Sequence, residues 1–382
     1  MMAFDLALFA DKLRRYCKQF EVTNDEISQR TGISLERLNG LAAQESEPTG
    51  DEVLILADFF KCDYKFFISN EKLAPFEQTE LLFRKYGDKL TRDDRWAIQE
   101  FLFLCECQYF LLSSMSDYRP HPFKFEKTGH IYKEHGVAAA AALRRHLGYE
   151  PHKVPMDIYD DFRKIGIHVF RRRLIKSSIS GLFIRHPVVG PCVLVNYTED
   201  VFRQRFSAAH EAAHAILDDE SDFVISFSAW DKEDLSEIRA NAFASHLLMP
   251  PEFLKKIPVR VWDLSQVLDW AVKLMVNIDP LLYALCALGL MSTSEMNQIK
   301  KRRVRLDKKS DPELPENLSP RARTRKEELL KRGLSDFYVK LCFDAFENGI
   351  ISGGRLAEML LITEPEIMEI AALYGRGMGH VN

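Results

Sequence analysis

The sequence predicts a mostly helical α+β protein: an N-terminal helix-turn-helix domain, a central domain with a small three-stranded sheet, and a C-terminal helical domain. Three observations carry this. Apolar residues recur at helical spacing over most of the 382 residues. Between residues 151 and 200 they gather instead into short runs rich in Val, Ile and Phe, bounded by Gly and Pro. Two stretches, 24–41 and 201–248, place small, polar and apolar residues at fixed helical offsets.

Residues 1–70 read as short helices. Apolar positions repeat through LALFADKLRRYCKQF and DEVLILADFFKCDYKFFI. Asn24 is the expected cap of a helix running to Thr31, Gly32 breaks it, and Ser34 caps the next helix, Leu35 to Leu41. Ser28 falls four before Gly32; Ile33, Leu38 and Leu41 fall one, six and nine after it. That is helix-turn-helix spacing, with Ser34, Glu36, Arg37 and Asn39 presented by the second helix. Ser34, Arg37 and Asn39 are the candidate DNA contacts. The same residues carry eight Lys or Arg against twelve Asp or Glu, a net of −4. DNA binding leans on phosphate neutralisation, so a protein-docking or dimerising domain stands beside the DNA-binding one.

Residues 71–130 are expected to be a helical connector, with Thr91-Arg-Asp-Asp opening its long helix through a capping residue and first-turn acids. A central domain is expected over 131–295. HGVAAAAALRRHLG is a strong helix by propensity. IHVFRRR, GLFIR and CVLVN read as three strands. Helices then follow through SAAHEAAHAIL and LSEIRANAFASHLLM, the second stopped by Pro250-Pro251. Residues 296–332 read as a basic, solvated linker, with contact to nucleic acid as the alternative; over 300–332 thirteen Lys or Arg face six Asp or Glu, +7 locally. Residues 333–382 read as a small helical cap.

Composition excludes several classes. A net charge of −4 gives the whole chain no nucleic-acid footprint. Seven scattered cysteines without a CxxC pair point to reduced thiols, and Cys105 and Cys107, about 200° apart on a helix, point to core packing. MMAFDLALFADKLRRYCKQF has no cationic region ahead of its apolar residues, and Trp96 to Ser113 is interrupted by Gln99, Glu100, Glu106 and Gln108. Neither a signal peptide nor a membrane span is expected, and the cytoplasm follows by default.

The chemistry is carried by His210-Glu211-Ala212-Ala213-His214. Residues four apart on a helix differ by about 40°, so both imidazoles reach one Zn²⁺ from the same face. Glu211 then projects beside the metal and can take a proton from its water. A chance HExxH is expected roughly 0.02 times in a chain of this length. Flanking Ala208, Ala209, Ala212, Ala213 and Ala215 suit a packed helix rather than a surface one. Catalytic zinc takes three protein ligands, and Glu237 on the next helix is the third. That makes the site gluzincin-like. Asn241, one turn on, can hold a ligating group in place. His246 is half a turn out of phase and points away, and Asp218 reads as a polar residue ending its helix.

RQRFSAAHEAAHAILD followed by EIRANAFASHLLMP resembles the ImmA/IrrE family of metallopeptidases, which show R-x-R-F-(S/T)-x-A-H-E-x-x-H and then E-x-x-A-N-x-F-A-x-x-L-L-M-P. Val195-Asn196, ending the preceding strand, fits as well. The resemblance spans roughly 130–290. It implies that His210, His214 and Glu237 bind zinc, that Glu211 is catalytic, and that the substrate is a protein, often a cognate transcriptional repressor cut in a stress response. His246 departs from the family, which more usually has a small or acidic residue there. The N-terminal segment is similar to Cro/repressor-type domains commonly fused to such peptidases.

The expected partners are therefore a transcriptional regulator as substrate, DNA through residues 1–70, no membrane, and a second copy if the chain dimerises. The strand GLFIR, if it lies at a sheet edge, would take the substrate as an added strand. Two further readings remain open. One is a DNA-binding regulator whose zinc site is not catalytic. The other is a toxin–antitoxin component acting by binding its partner. No side chain that would stabilise an oxyanion is identified.

Overall fold

The computed structural model describes residues 4–62, 64–69, 82–83, 85–86, 89–115, 120–175, 178–218, 221–227, 234–259, 261–300 and 302–376. Much of the expected connector over 71–130 lies outside them. The described chain is mostly helical, with a four-stranded mixed sheet. It forms two compact units, Met1–Glu106 and Cys107–Asn382, and each is taken by itself below.

In the first unit an aromatic core gathers Phe9, Tyr16, Phe20, Phe60 and Phe67, all buried. The helices Asn24–Thr31 and Leu35–Ala42 are joined by Gly32, whose φ of 78° is the left-handed conformation glycine adopts without strain. The cap of the first helix is Thr23, one residue earlier than expected. Its side chain accepts from the Glu26 amide, and Glu26 reaches back to the Thr23 amide, closing a reciprocal box that Asn24 could not form. Ile27, Leu38 and Leu41 are buried beneath the pair.

In the second unit the strands are β1 (His168–Arg172), β2 (Ile179–His186), β3 (Gly190–Asn196) and β4 (Phe223–Phe227), in the order β1-β3-β2-β4. β1 runs parallel to β3; β2 is antiparallel to both β3 and β4. The sheet thus has four strands where three were expected. The fourth, FVISF, is short and set among acidic and Ser residues, which hides its apolar run. Its presence also corrects the placing of GLFIR: β2 is an inner strand, and β1 and β4 are the edges among the described strands. Strand addition to GLFIR is therefore blocked by β4, which already takes its free backbone groups.

The helix Val201–Leu217, here the motif helix, packs on β2 and β3. Ala208, Ala209, Ala212 and Ala213 are all buried there, in one core with Phe183, Val193 and Val195. Small side chains are what allow a helix and a sheet to approach closely. Asp200 caps the N-terminus, accepting from the amides of Phe202 and Arg203. At the other end Lys127 and Arg185 donate to the free carbonyls of Leu217 and Ala215, the sign the helix dipole favours.

The helix Leu235–Leu248 lies against the motif helix on one side and against Tyr132–His146 on the other. Gly136 makes the second packing possible. A Cβ at that position would run into the Arg239 carbonyl and stand 2.9 Å from the Phe243 amide nitrogen.

The basic stretch 300–332 is exposed at many of its described residues but is anchored at several points. Lys309 bonds Asp200 at 2.9 Å and Asn277 at 2.6 Å. Asp311 and Glu313 pair with the buried Arg171 of β1. Its second half is a helix, Pro320–Lys331, which continues onto β1 through a bond from the Arg173 amide to the Lys331 carbonyl. The helices that follow, Asp336–Glu347, Gly353–Met359 and Glu364–Leu373, stay in the same unit; Tyr338 donates to the Met359 carbonyl and meets the Phe170 ring edge-on. Among the described residues no single helix is long and apolar enough to cross a membrane.

Candidate metal centre

His210 and His214 lie one turn apart on the motif helix, and Glu237 enters from the first turn of the neighbouring helix. Their donor atoms form a small triangle. His210 Nε2 and His214 Nε2 are 3.1 Å apart, His210 Nε2 and Glu237 Oε2 are 3.3 Å apart, and His214 Nε2 and Glu237 Oε1 are 3.4 Å apart. A tetrahedral zinc with bonds of ~2.1 Å separates its donors by about 3.4 Å.

The hydrogen bonds behind the rings say what those nitrogens carry. His214 Nδ1 lies 2.6 Å from Asp218 Oδ2, and a carboxylate can only accept, so Nδ1 holds the proton. His210 Nδ1 lies 3.2 Å from Asn241 Oδ1. Asn241 spends its amide Nδ2 on the Glu237 carbonyl at 2.7 Å, so its oxygen faces His210 and again Nδ1 donates. Both Nε2 lone pairs thus point at each other and at a carboxylate. With both rings neutral, three acceptors converge on one point. A cation resolves that arrangement, and the nitrogen–nitrogen–oxygen set suits zinc.

Burial alone would raise the Glu237 carboxyl, but wherever the imidazoles of His210 and His214 carry a proton toward it, their hydrogen bonds and charge outweigh burial and hold it well below the usual range. Glu211 behaves oppositely. It is fully buried, and burial pushes its carboxyl up, only partly offset by the two imidazoles. Both of its oxygens lack a hydrogen-bond partner. Ser226 of β4 lies close enough to favour the charged form without reaching hydrogen-bond geometry, and its own hydroxyl is likewise unpartnered.

Glu211 is seated by a glycine. A Cβ on Gly181 of β2 would stand 2.9 Å from both Glu211 Cγ and Oε1, and 3.0 Å from the Leu194 carbonyl. The β2–β4 register slips between Ile179 and Gly181, and Gly181 pairs with Ser226. The bulge and the missing side chain together make room for a buried carboxylate under the sheet. Asn196, wholly buried, pins the neighbouring chain: its amide donates to the Ile179 carbonyl, and its oxygen accepts from the amides of Leu174 and Thr198.

Asp218 ends the motif helix as its C-cap, as expected, and its part-buried side chain does more: one oxygen meets His214 and the other Arg239. His214 plus four residues is the same helix face, a signal present in the sequence. His246 lies outside the triangle, its Nδ1 2.9 Å from the Ala242 carbonyl.

The three DNA candidates of the first unit stay at its surface, and each makes a local hydrogen bond. Ser34 caps its helix, accepting from the Arg37 amide at 3.2 Å. The Arg37 guanidinium holds both oxygens of Glu52, at 2.7 and 2.8 Å, and the Glu47 carbonyl. Asn39 accepts from Asn24 at 2.8 Å.

Residues 162–278 match a family model described as the IrrE N-terminal-like domain, of peptidase family M78. The matched stretch holds all four strands, the motif helix and the Glu237 helix, and covers less than half of the chain. It is similar to a metallopeptidase-like domain of a generally zinc-dependent family. No curated protein matches the chain.

Proposed function

We propose that the chain is a zinc-dependent endopeptidase that cuts a regulatory protein. The observation that carries the reading is Glu211: a buried carboxylate with both oxygens unpartnered, on the same helix as the two imidazoles of a ligand triangle. An unpaired buried carboxylate is costly, and a site that only had to hold a metal would not need one.

Zinc held by His210, His214 and Glu237 supplies a Lewis acid and lowers the pKa of water. Glu211 does the proton work. Its carboxylate takes a proton from the attacking water and returns it to the departing amide nitrogen. Burial raises the carboxyl, which makes Glu211 a better base once ionised. Glu237 stays charged and is suited to ligation, not proton transfer.

A second reading concerns the first unit. Its helix pair is proposed as a recognition module, and the pairing of the Arg37 guanidinium with Glu52 favours a protein partner over DNA. A regulator bound there would be brought to the peptidase as substrate.

The test is metal content and cleavage together. Purified chain should carry about one zinc and cut a cognate regulator, with a chelator stopping it and added zinc restoring it. Glu237→Ala should lose both metal and cleavage. Full zinc occupancy in Glu237→Ala, or cleavage indifferent to chelator, contradicts the proposal.

A further inference from the structure

We propose that Asp218 is the positioning residue for His214, held in place by Arg239, and that it makes His214 the more firmly organised of the two imidazole ligands. This rests on the reading of His210, His214 and Glu237 as a metal site.

The two rings are clasped unequally. Behind His214 stands a carboxylate at 2.6 Å; behind His210 stands a neutral amide at 3.2 Å. A hydrogen bond to an ionised acceptor is roughly twice as strong as one between neutral groups. The Asp218 carboxylate also fixes the ring so that the opposite nitrogen of His214 is the one presented to a metal. Asn241 offers only its dipole.

Both clasps are set from the helix that supplies Glu237. Asn241, four residues on, donates to the Glu237 carbonyl while accepting from His210. Arg239, two residues on, takes the second oxygen of Asp218. Asp218 and Arg239 are 9% and 7% exposed at their side chains, so neither charge is left to water. The Arg239 guanidinium also lies 5.1 Å over the Tyr132 ring, which ties it to the Tyr132–His146 helix. Asp218 has a fixed place too: as C-cap of the motif helix its amide bonds the His214 carbonyl at 3.0 Å, so backbone and side chain both close on His214.

An ion pair that only tied two helices together would affect stability and leave the ring proton of His214 indifferent. The proposal makes the proton and the metal follow Asp218. Two measurements on the full-length chain separate these. In demetallated protein with ¹⁵N-labelled histidine, His214 should be the Nδ1–H tautomer, and Asp218→Ala should release it to a mixture with Nε2–H. Zinc affinity, by competition with a chromogenic chelator, should fall about 10–100-fold in Asp218→Ala. Asn241→Ala should lose less, and Asp218→Asn, which keeps an acceptor without the charge, should keep the tautomer and recover part of the affinity.

An unchanged tautomer or unchanged zinc affinity in Asp218→Ala overturns the proposal, as does a larger loss in Asn241→Ala. Should Asp218→Ala fail to fold, Asp218→Asn decides: affinity equal to that of the unaltered chain overturns it. Failure of the unaltered chain to bind zinc would refute the metal reading instead, while the tautomer still reports on the clasp.

Discussion

Two helix pairs in this molecule are built from similar parts to opposite ends. In the first unit, Asn24–Thr31 and Leu35–Ala42 carry Asn24, Ser34, Arg37 and Asn39, and each of these groups meets a partner of the opposite kind. In the second, Val201–Leu217 and Leu235–Leu248 carry His210, His214 and Glu237, and their acceptors meet one another. Beside them Glu211 is buried without a partner. The first pair is closed in hydrogen-bond terms. The second leaves acceptors facing one another, the arrangement a metal site calls for. Polar residues on neighbouring helices do not by themselves mark a reactive site; acceptors forced together behind fixed ring protons do.

The packing that holds the second pair gives the largest expected effect. Gly136→Ala would drive a methyl group into the Arg239 backbone and the Phe243 amide, and neither can move without moving the Glu237 helix. Thermal unfolding should show a loss of about 1–3 kcal/mol, as overpacking gives, and weakened zinc binding should accompany it. Wild-type stability in this variant would mean the two helices have slack, and the triangle is less fixed than described.

A more local change sharpens the contrast between holding metal and using it. Gly181→Val would displace Glu211 while leaving His210, His214 and Glu237 in place. Zinc content should remain near one per chain, and cleavage should fall by roughly 10–100-fold, at or below the lower end of the ~10²–10⁴-fold that general-base catalysis contributes. Loss of zinc in step with activity would show that Gly181 serves the fold and not the seat of Glu211.

How much of this was legible in the sequence follows from how local each signal is. The spacing of His210, Glu211 and His214 is a property of one helix, and Glu237 with Asn241 is a property of the next. Gly181 was visible as a glycine inside a strand, but only its neighbour shows that a carboxylate fills the space. β4 was missed because five residues give too short a period to stand out from SDFVISFSAWDKED. The anchoring of the basic stretch was not legible for another reason. A local sum of +7 cannot reveal that Lys309 meets Asp200, or that Asp311 and Glu313 in the same stretch meet Arg171, since those partners lie more than a hundred residues away. Nor could the helix-turn-helix spacing show that Arg37 is already spent on Glu52.

The smallest expected effect lies in the first pair. The hydrogen bond from Arg37 holds the Glu52 carboxyl at about 2, helped by the Thr49 amide, against an ordinary 4.5. A folded-state value below the unfolded one stabilises above the unfolded value and is lost on acidification. This contribution is therefore complete above about pH 4.5 and disappears as pH falls through about 2. Arg37→Ala should lower the melting temperature slightly at neutral pH, lose that difference in acid, and leave zinc content untouched. If the same variant instead abolished salt-sensitive binding to DNA without any change in melting, the guanidinium would be free for phosphate and the protein-partner reading would fail.

The central claim is that one buried carboxylate acts on a proton while three other side chains hold the metal. Glu211→Gln tests it most directly, because the amide keeps the shape of the side chain and cannot accept the proton. Zinc per chain by mass spectrometry and cleavage of the regulator would be measured side by side on the variant and the unaltered protein. The account predicts about one zinc per chain and a loss of cleavage of ~10²–10⁴-fold. Retained cleavage, or loss of the metal with the charge, would contradict it.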